Sequence, residues 1–429
     1  MTGSNTAAGR ILLVGIGPGD PAHITARARE AIASAEVVIG YQTYLRLIPE
    51  LLVDKTVVGK AMTEELDRVE MAWAYASAGR VVALVSSGDV GVYGMAGPAY
   101  ELLLERGWTP EEGAVEVEVV PGVTALTSCA ALLGAPLTHD LCTISLSDLL
   151  TPWPVIARRL EAAGRGDFVV ALYNPASRRR REHIRRAQEI LLRYRPGDTP
   201  VALVRSAYRE RQQVEHLRLD ALDTAQPSML STVMIGNRAT FRRAGVMVTP
   251  RGYVAKYGGD GAPIAGEARG QPLSLGLAGW PAALRTWLRE QPQPSLVAAA
   301  QHFDVPWGAV LAAVADGVAE PATPFRSSPI DPGDLPRHLA ECREWPRVQG
   351  VVNAAGGTRM ICSAAGPALR WEDEALVLGA GGGRVEVDWG RVAGAWALAG
   401  VCRHCSLELV DAHGDALLSL ERLDPVASG

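Results

Sequence analysis

Nowhere in its 429 residues does the sequence approach the roughly 18 consecutive apolar residues that a membrane-spanning helix needs, so no membrane partner is expected. Cysteine is scarce. The six, Cys129, Cys142, Cys342, Cys362, Cys402 and Cys405, are too few and too scattered for a disulfide framework, and reduced thiols are expected. The amino terminus, MTGSNTAAGR, lacks the basic stretch followed by an apolar one that marks a secreted chain, which makes the cytoplasm the default. Lysine is missing from Gly258 onward, where 13 arginines face 20 carboxylates for a balance of −7, while residues 1–257 stand at +2. The net charge of −5 argues against a dedicated nucleic-acid binder. What is present is ordinary for a folded chain: 48% hydrophobic and 21% charged residues, over a length that suggests two or three domains.

Up to about residue 245, short β-branched runs alternate with stretches of helical spacing. This is the rhythm of an α/β domain with a mainly parallel sheet. The runs are 11–16, 37–39, 81–86, 115–120, 168–173, 201–204 and 232–235, with helical spacing over stretches such as 24–32, 66–76 and 184–192. From Gly258 the texture changes to GGDGAPIAGEARGQP, which reads as a linker to about residue 280. Beyond it, 281–317 looks helical, 321–336 is rich in Pro and Ser, and 351–423 alternates like antiparallel strands with turns at AAGG, GAGGG and DAHGD. The expected domains are therefore 1–257 and a smaller α+β unit over 281–429.

Three loops follow buried strands in the first domain. Gly15-Ile-Gly-Pro-Gly-Asp20 has no glycine three residues after Gly17, and Pro18 and Pro21 remove donors that a phosphate cradle would use. A dinucleotide fingerprint is thereby disfavoured, although a turn at this place suits a ligand. The second loop, SSGDVGVYGM, allows close backbone approach at Ser86 to Gly88 and supplies the Asp89 carboxylate. The third, VVPGVTA, enters a helix with its N–H groups exposed. Three such loops in one domain suggest a shared pocket.

In order and spacing, GIGPGD, SSGDVGVYGM, VVPGVTA, ALYNPASRRR and STVMIGN resemble the tetrapyrrole methylase family, which methylates corrin precursors with S-adenosylmethionine. The resemblance spans roughly residues 10–257. Within the family, ALYNPASRRRREHI and TPRGYVAKY most resemble the ring-contracting branch that methylates precorrin-3B at C-17 in cobalamin synthesis. It implies two α/β lobes split near residue 125, a homodimer, and S-adenosylmethionine folded into the cleft between lobes. Carried over by position, it places the cofactor against Gly88, Asp89, Val92, Tyr93, Thr124, Ala125, Tyr173 and Asn174, with Ser206 and Thr232 closing over the adenine. Pro18, Gly19 and Asp20 would line the substrate trough. A cobalt-bearing precorrin or another corrin position is the alternative.

Methyl transfer from a sulfonium is an in-line displacement, so the protein must align carbon and methyl at roughly 3–3.5 Å and exclude water; no nucleophilic side chain is needed. Ring contraction also moves protons, for which Asp20, Lys60, Asp89 and His139 are the general acid or base candidates. A polycarboxylate macrocycle calls for cationic forks. Arg178, in the run of four arginines starting there, and Arg205, at a strand end, are the candidates.

The carboxy-terminal part holds Cys402-Arg-His-Cys405, and with Cys342 and Cys362 four thiolates for zinc or an iron–sulfur cluster are conceivable. Ordinary half-buried thiols are the preferred reading, with no metal assigned, because Cys342 and Cys362 lie outside any paired motif. Residues 283–423 faintly resemble one half of the haem-utilisation family. That resemblance implies a tetrapyrrole-binding or scaffold module, with neighbouring pathway enzymes as partners and with His302, His338, His404 and His413 open as ligands or as turn histidines. A helix-turn-helix over 296–314 is the competing reading, against which the −7 balance speaks.

Overall fold

The computed structural model describes residues 9–61, 64–111, 114–177, 180, 182–315, 323–354, 358–372, 374–399 except 381 and 382, and 405–423. The chain divides into two compact units, 1–252 and 253–429.

In the first unit, β1 (Arg10–Gly15) is followed by α1 (Ala26–Ser34), β2 (Val37–Tyr41), the short α2 (Gln42–Leu45), β3 (Thr56–Lys60), α3 (Glu65–Ser77), β4 (Val81–Ser86), α4 (Ala96–Glu105) and β5 (Glu116–Val120). Local chemistry sets these bounds. Thr25, for example, starts α1 by accepting the Ala28 N–H on its hydroxyl at 3.1 Å, and Ala28, Ala31 and Ile32 give that helix its buried face. The five strands form one wholly parallel sheet in the order β3-β2-β4-β1-β5. Because β1 lies between β4 and β5, the carboxyl ends of these three strands are neighbours, and the three glycine-bearing loops that leave them must meet.

The second lobe starts with α5 (Ala125–Leu133), β6 (Gly134–Ala135), β7 (Leu141–Ser145), α6 (Trp153–Arg165), β8 (Val169–Tyr173) and α7 (His183–Leu191). It ends with β9 (Pro200–Arg205), β10 (Gln213–Arg218), β11 (Ser231–Ile235), β12 (Phe241–Arg243) and β13 (Val246–Val248). Its main sheet, β10-β9-β11-β8-β7, corrects the expectation of a mainly parallel sheet: only β7 and β8 are parallel. A short loop turns β9 straight into β10, with no crossover helix to make the pair parallel. Since β8 and β9 both run antiparallel to β11, their carboxyl ends and the amino end of β11 share one end of the sheet. The segments at 173–174, 206–207 and 229–232 are gathered there. β6, β12 and β13 form a small separate sheet.

The second unit opens with a largely exposed stretch and a helical group, α8 (Trp280–Glu290), α9 (Leu296–Phe303) and α10 (Trp307–Ala313), packed around Leu284, Leu288, Ala299 and Val310. The strand β14 (Arg326–Ile330) arises inside the Pro- and Ser-rich stretch, where no strand was expected. Then come α11 (Leu335–Arg343), β15 (Arg347–Ala354), β16 (Thr358–Ala364), β17 (Leu369–Glu372), β18 (Ala375–Ala380), β19 (Gly383–Asp388), β20 (Gly394–Ala399), β21 (Cys405–Val410) and β22 (Ala416–Leu423). They build an antiparallel six-stranded sheet, β14-β20-β21-β22-β15-β16, and a three-stranded one, β17-β18-β19.

Within the six-stranded sheet, Glu408 of β21 is 3% exposed, and its carboxylate accepts from Trp307 Nε1 at 3.1 Å and from the Ser406 and Ser419 hydroxyls. Burial pushes this carboxyl above the ordinary carboxylate range despite the three donors. A group that holds its proton more tightly when folded stabilises fully below its unfolded pKa and loses that contribution as pH rises through the raised value. The unit is therefore expected to weaken as the pH climbs from acid toward neutrality, and Glu408→Gln to flatten that dependence. Seven of the ten tryptophans lie in this unit, so urea melts followed by fluorescence at about pH 5 and pH 8 check it; equal slopes in both proteins would remove Glu408 as the cause.

Candidate active site

The three loops of the first lobe interlock through backbone alone. Gly17 and Gly88 exchange a pair of N–H···O bonds at 3.1 and 2.7 Å. A Cβ on Gly122 would lie 2.2 Å from the Gly88 carbonyl oxygen and 2.6 Å from that of Gly15, so this contact requires glycine. The Asp89 carboxylate closes the set. Its Oδ1 accepts from the N–H groups of Gly91 and Val92 at 2.8 and 3.1 Å, and its Oδ2 accepts from Gly122 at 2.9 Å.

Against these loops stands the gathered end of the second sheet, and a cleft runs between the lobes. Gly88, Asp89, Val92 and Tyr93 line it from the second loop, with Thr124 and Ala125 at the start of α5. Tyr173, Asn174, Ser206 and Thr232 complete the opposite wall, and Pro18 lies at its edge. The Tyr173 hydroxyl accepts the Leu126 N–H at 2.8 Å and lies 2.8 Å from Thr124 Oγ1, so it caps α5 where Thr124 makes no cap of its own. Burial pushes this phenol upward. Asn174 Nδ2 donates to Ser145 Oγ at 3.0 Å, and Tyr93, half-exposed and 4.9 Å from the Tyr173 ring, donates to the Thr143 carbonyl at 3.1 Å. Tyr93, Asn174 and Ser206 have φ of 52°, 49° and 49°, left-handed conformations that cost about 1–3 kcal/mol each and that gather at sites where geometry is imposed.

Other expected site residues lie elsewhere. Asp20 Oδ1 accepts the Ala22 N–H at 2.7 Å and caps the short turn at 21–23. His139 Nδ1 accepts the N–H of its neighbour Asp140 at 2.9 Å, and Lys60 ends the edge strand β3. None of the three lines the cleft, and Asp89, which does, has both oxygens engaged by backbone donors. Gly19, with φ 138°, packs beside the Arg209 side chain. Arg205 is paired with Glu215 at 2.9 Å and also donates to the Gln226 carbonyl, so it is spent within its own lobe. Arg178 lies outside the described residues.

Sequence reasoning missed Tyr44, Ser128, Cys129, Arg209 and residues 229–231, all of which line the cleft. Burial raises the Cys129 thiol to about 11, which makes it an apolar filler rather than a nucleophile. Arg209 stands four residues past Arg205. The sequence gives no sign of the turn between them, because the left-handed positions there are Ser206 and Tyr208 rather than glycines.

In the second unit, His338, Cys342, Cys405, Trp345, Arg326 and Arg422 line a groove, while His302 stacks on Trp287 at 4.8 Å and the His413 N–H donates to Asp411 in a turn. Cys402 and His404 lie outside the described residues. Among the described residues, no three His, Cys, Asp or Glu side chains are grouped to hold a metal ion, and no helix is long and apolar enough to cross a membrane.

A family model described as Tetrapyrrole (Corrin/Porphyrin) Methylases matches residues 10–223. A precorrin-3B C(17)-methyltransferase from a Sinorhizobium species is 40% identical over 250 residues, covering 57% of this chain and 97% of that protein. This chain belongs to the tetrapyrrole methylase family. A cobalt-factor III methyltransferase of Priestia megaterium is 54% identical over 249 residues, 58% of this chain, but this chain spans only 46% of that protein's length. Among solved structures, the methyltransferase CobJ matches with a TM-score of 0.52 and 36% identity, covering 57% of this chain and all of that one. The two-lobed α/β architecture is therefore that of a tetrapyrrole methylase, with a separate sheet-rich carboxy-terminal region.

The cleft suits S-adenosylmethionine on its own geometry. Gly88 has φ 71°, and a Cβ there would face the backbone of Thr124 and Ala125 across the cleft at 3.7–3.8 Å, so a side chain would take up room that the two facing loops leave for a ligand. No carboxylate in the lining is free to form a buried ion pair with the sulfonium, which suits a charge that must disappear during transfer.

Proposed function

We propose that this chain is an S-adenosylmethionine-dependent methyltransferase that methylates precorrin-3B at C-17, with ring contraction to precorrin-4, in cobalamin biosynthesis. One observation carries the reading: in a chain of this family, the glycine loops and the gathered strand ends of both lobes converge on a single cleft. The cobalt-bearing counterpart is the second reading, favoured by the 54% identity to the cobalt-factor III enzyme against 40% to the precorrin-3B enzyme.

In this reading S-adenosylmethionine supplies an electrophilic methyl group. Gly88 and the backbone about it give the cofactor close access to the loop, and Asp89 holds the second and third loops at fixed separation. Tyr173, by capping α5, fixes Thr124 and Ala125 on the facing wall. Tyr93 offers an aromatic face, and its bond to Thr143 draws the first lobe's loop over the cleft, which excludes water. Pro18 borders the side where a macrocycle would enter. The carboxy-terminal unit is a tetrapyrrole-binding or scaffold module, and the enzyme works as a homodimer in the cytoplasm.

The test is to incubate the purified full chain with methyl-labelled S-adenosylmethionine and, separately, with precorrin-3B and cobalt-factor III. Label entering one macrocycle with loss of the contracted carbon from the ring is the expected result. Transfer to cobalt-factor III alone would select the second reading, and transfer to neither would overturn both.

A further inference from the structure

The geometry points to Arg209 as the carboxylate-binding residue of the cleft. This rests on the reading of the cleft as a methyltransferase site, and it names a cation that neither the family match nor the relatives' names assign. Arg209 lies in the loop that turns β9 into β10. Ser206 and Tyr208 are left-handed there, with φ of 49° and 54°, and Arg209 N–H donates to Ser206 and its carbonyl accepts from Gln212, so the loop is fixed without help from a ligand. The Tyr208 ring also packs on His23 of the first lobe, with centroids 4.0 Å apart.

From this arm the guanidinium reaches across the cleft. Its Nε donates to the Pro18 carbonyl at 2.7 Å and one Nη2 proton to Ser87 Oγ at 2.9 Å. A guanidinium has five N–H donors, so three remain. Both partners are neutral, and among the described residues no carboxylate lies within 4 Å of it. The other arginines that a sequence reading would choose are spent: Arg205 on Glu215, and Arg185 on Glu182 and Glu189. Arg195 and Arg285 are more deeply buried than Arg209, but their guanidinium groups donate to backbone carbonyls of their own units and do not line the cleft. Among the described residues, Arg209 alone combines a rigid mount, partial desolvation, a place in the cleft wall and an uncompensated charge. Burial pulls its pKa down without a carboxylate to oppose it, which is the cost that a carboxylate from a ligand would offset.

A carboxylate can come from two sources in this site: the acidic side chains of the macrocycle or the amino-acid end of the cofactor. Calorimetry with S-adenosylhomocysteine and with 5′-methylthioadenosine, which lacks the amino acid, separates them when combined with steady-state kinetics on whichever macrocycle the wild type methylates. With Arg209→Ala, loss of a charge-assisted fork is expected to weaken the carboxylate-bearing partner about 30-fold, with Arg209→Lys recovering part of it. A higher KM for the macrocycle with unchanged S-adenosylhomocysteine affinity assigns the substrate carboxylate. Weaker S-adenosylhomocysteine with unchanged 5′-methylthioadenosine assigns the cofactor's. Affinities all near wild type, or both nucleosides weakened together, would overturn the role, the second because it marks collapse of the arm. A wild type that binds neither nucleoside and methylates neither macrocycle would defeat the underlying function along with it.

Discussion

Replacing Asp89 with alanine is expected to lower methyl transfer about 100-fold or more and to lower the thermal midpoint by several degrees without unfolding the protein. Each hydrogen bond to a charged acceptor is worth about 1.5–3 kcal/mol, and this carboxylate accepts three, from Gly91, Val92 and Gly122. The three are not additive, but even half their sum exceeds the 1.4 kcal/mol of a tenfold change. The loss falls on loop geometry rather than on the core, because Asp89 is a half-buried loop residue and the lobe's apolar clusters lie mainly in the sheet and its helices. Asp89→Asn keeps an acceptor for one side of the pair but turns an amide N–H toward a backbone N–H on the other, so it should fall between alanine and wild type. Single-turnover rates together with S-adenosylhomocysteine affinity decide the matter. An asparagine variant with wild-type rates would mean that the carboxylate's charge and its hold on Gly122 are both dispensable.

Gly122→Ala should cost more, and it should cost the fold. Its Cβ would lie 2.2 Å from one backbone oxygen and 2.6 Å from another, with no side chain at either contact to rotate away. Relief requires the Gly15 and Gly88 loops to separate, which breaks the Gly17–Gly88 bridge as well. Overpacking of this kind costs typically 1–3 kcal/mol, and with backbone on both sides about 3 kcal/mol or more is expected, enough to yield insoluble protein or a much lower melting temperature. Gly97→Ala is the matching control. It lies in α4 with nothing within 4 Å of the added carbon, so it should be neutral or stabilising by about 0.5–1 kcal/mol. If the two variants melt together, the backbone interlock has no part in stability.

The sequence made the first lobe's wall of the cleft legible because the physics there is unforgiving: where three backbones meet, glycine must appear, and Gly15, Gly17, Gly88 and Gly122 do. Parallel strands buried on both faces likewise write themselves as unbroken apolar runs. The second lobe is harder to read, since the apolar runs of β9 and β11 look the same whether the strands pair parallel or antiparallel. Arg209 escaped for a related reason. Its direction depends on left-handed Ser206 and Tyr208, and nothing in their chemistry advertises that conformation, whereas Arg205 stands at an obvious strand end and proves to be tied to Glu215. The proton-transfer candidates rest on chemical type, whereas Asp20 and His139 accept backbone N–H groups of their own turns, which spacing does not encode. In the carboxy-terminal unit β14 hid among prolines because it lies at the sheet's edge, where proline is tolerated.

The chain passes from the first lobe's sheet to the second's once, between β5 and α5, and never returns. Each wall of the cleft is consequently a contiguous stretch of polypeptide, and the boundary between them falls beside Gly122, at the interlock itself. Heredity can treat such a joint as a seam. A recombination event at this point delivers a complete new second wall, with its own strand ends and its own arm, against an unaltered set of glycine loops. The part that holds the chemistry still and the part that chooses what enters can thus diverge at different rates within one gene.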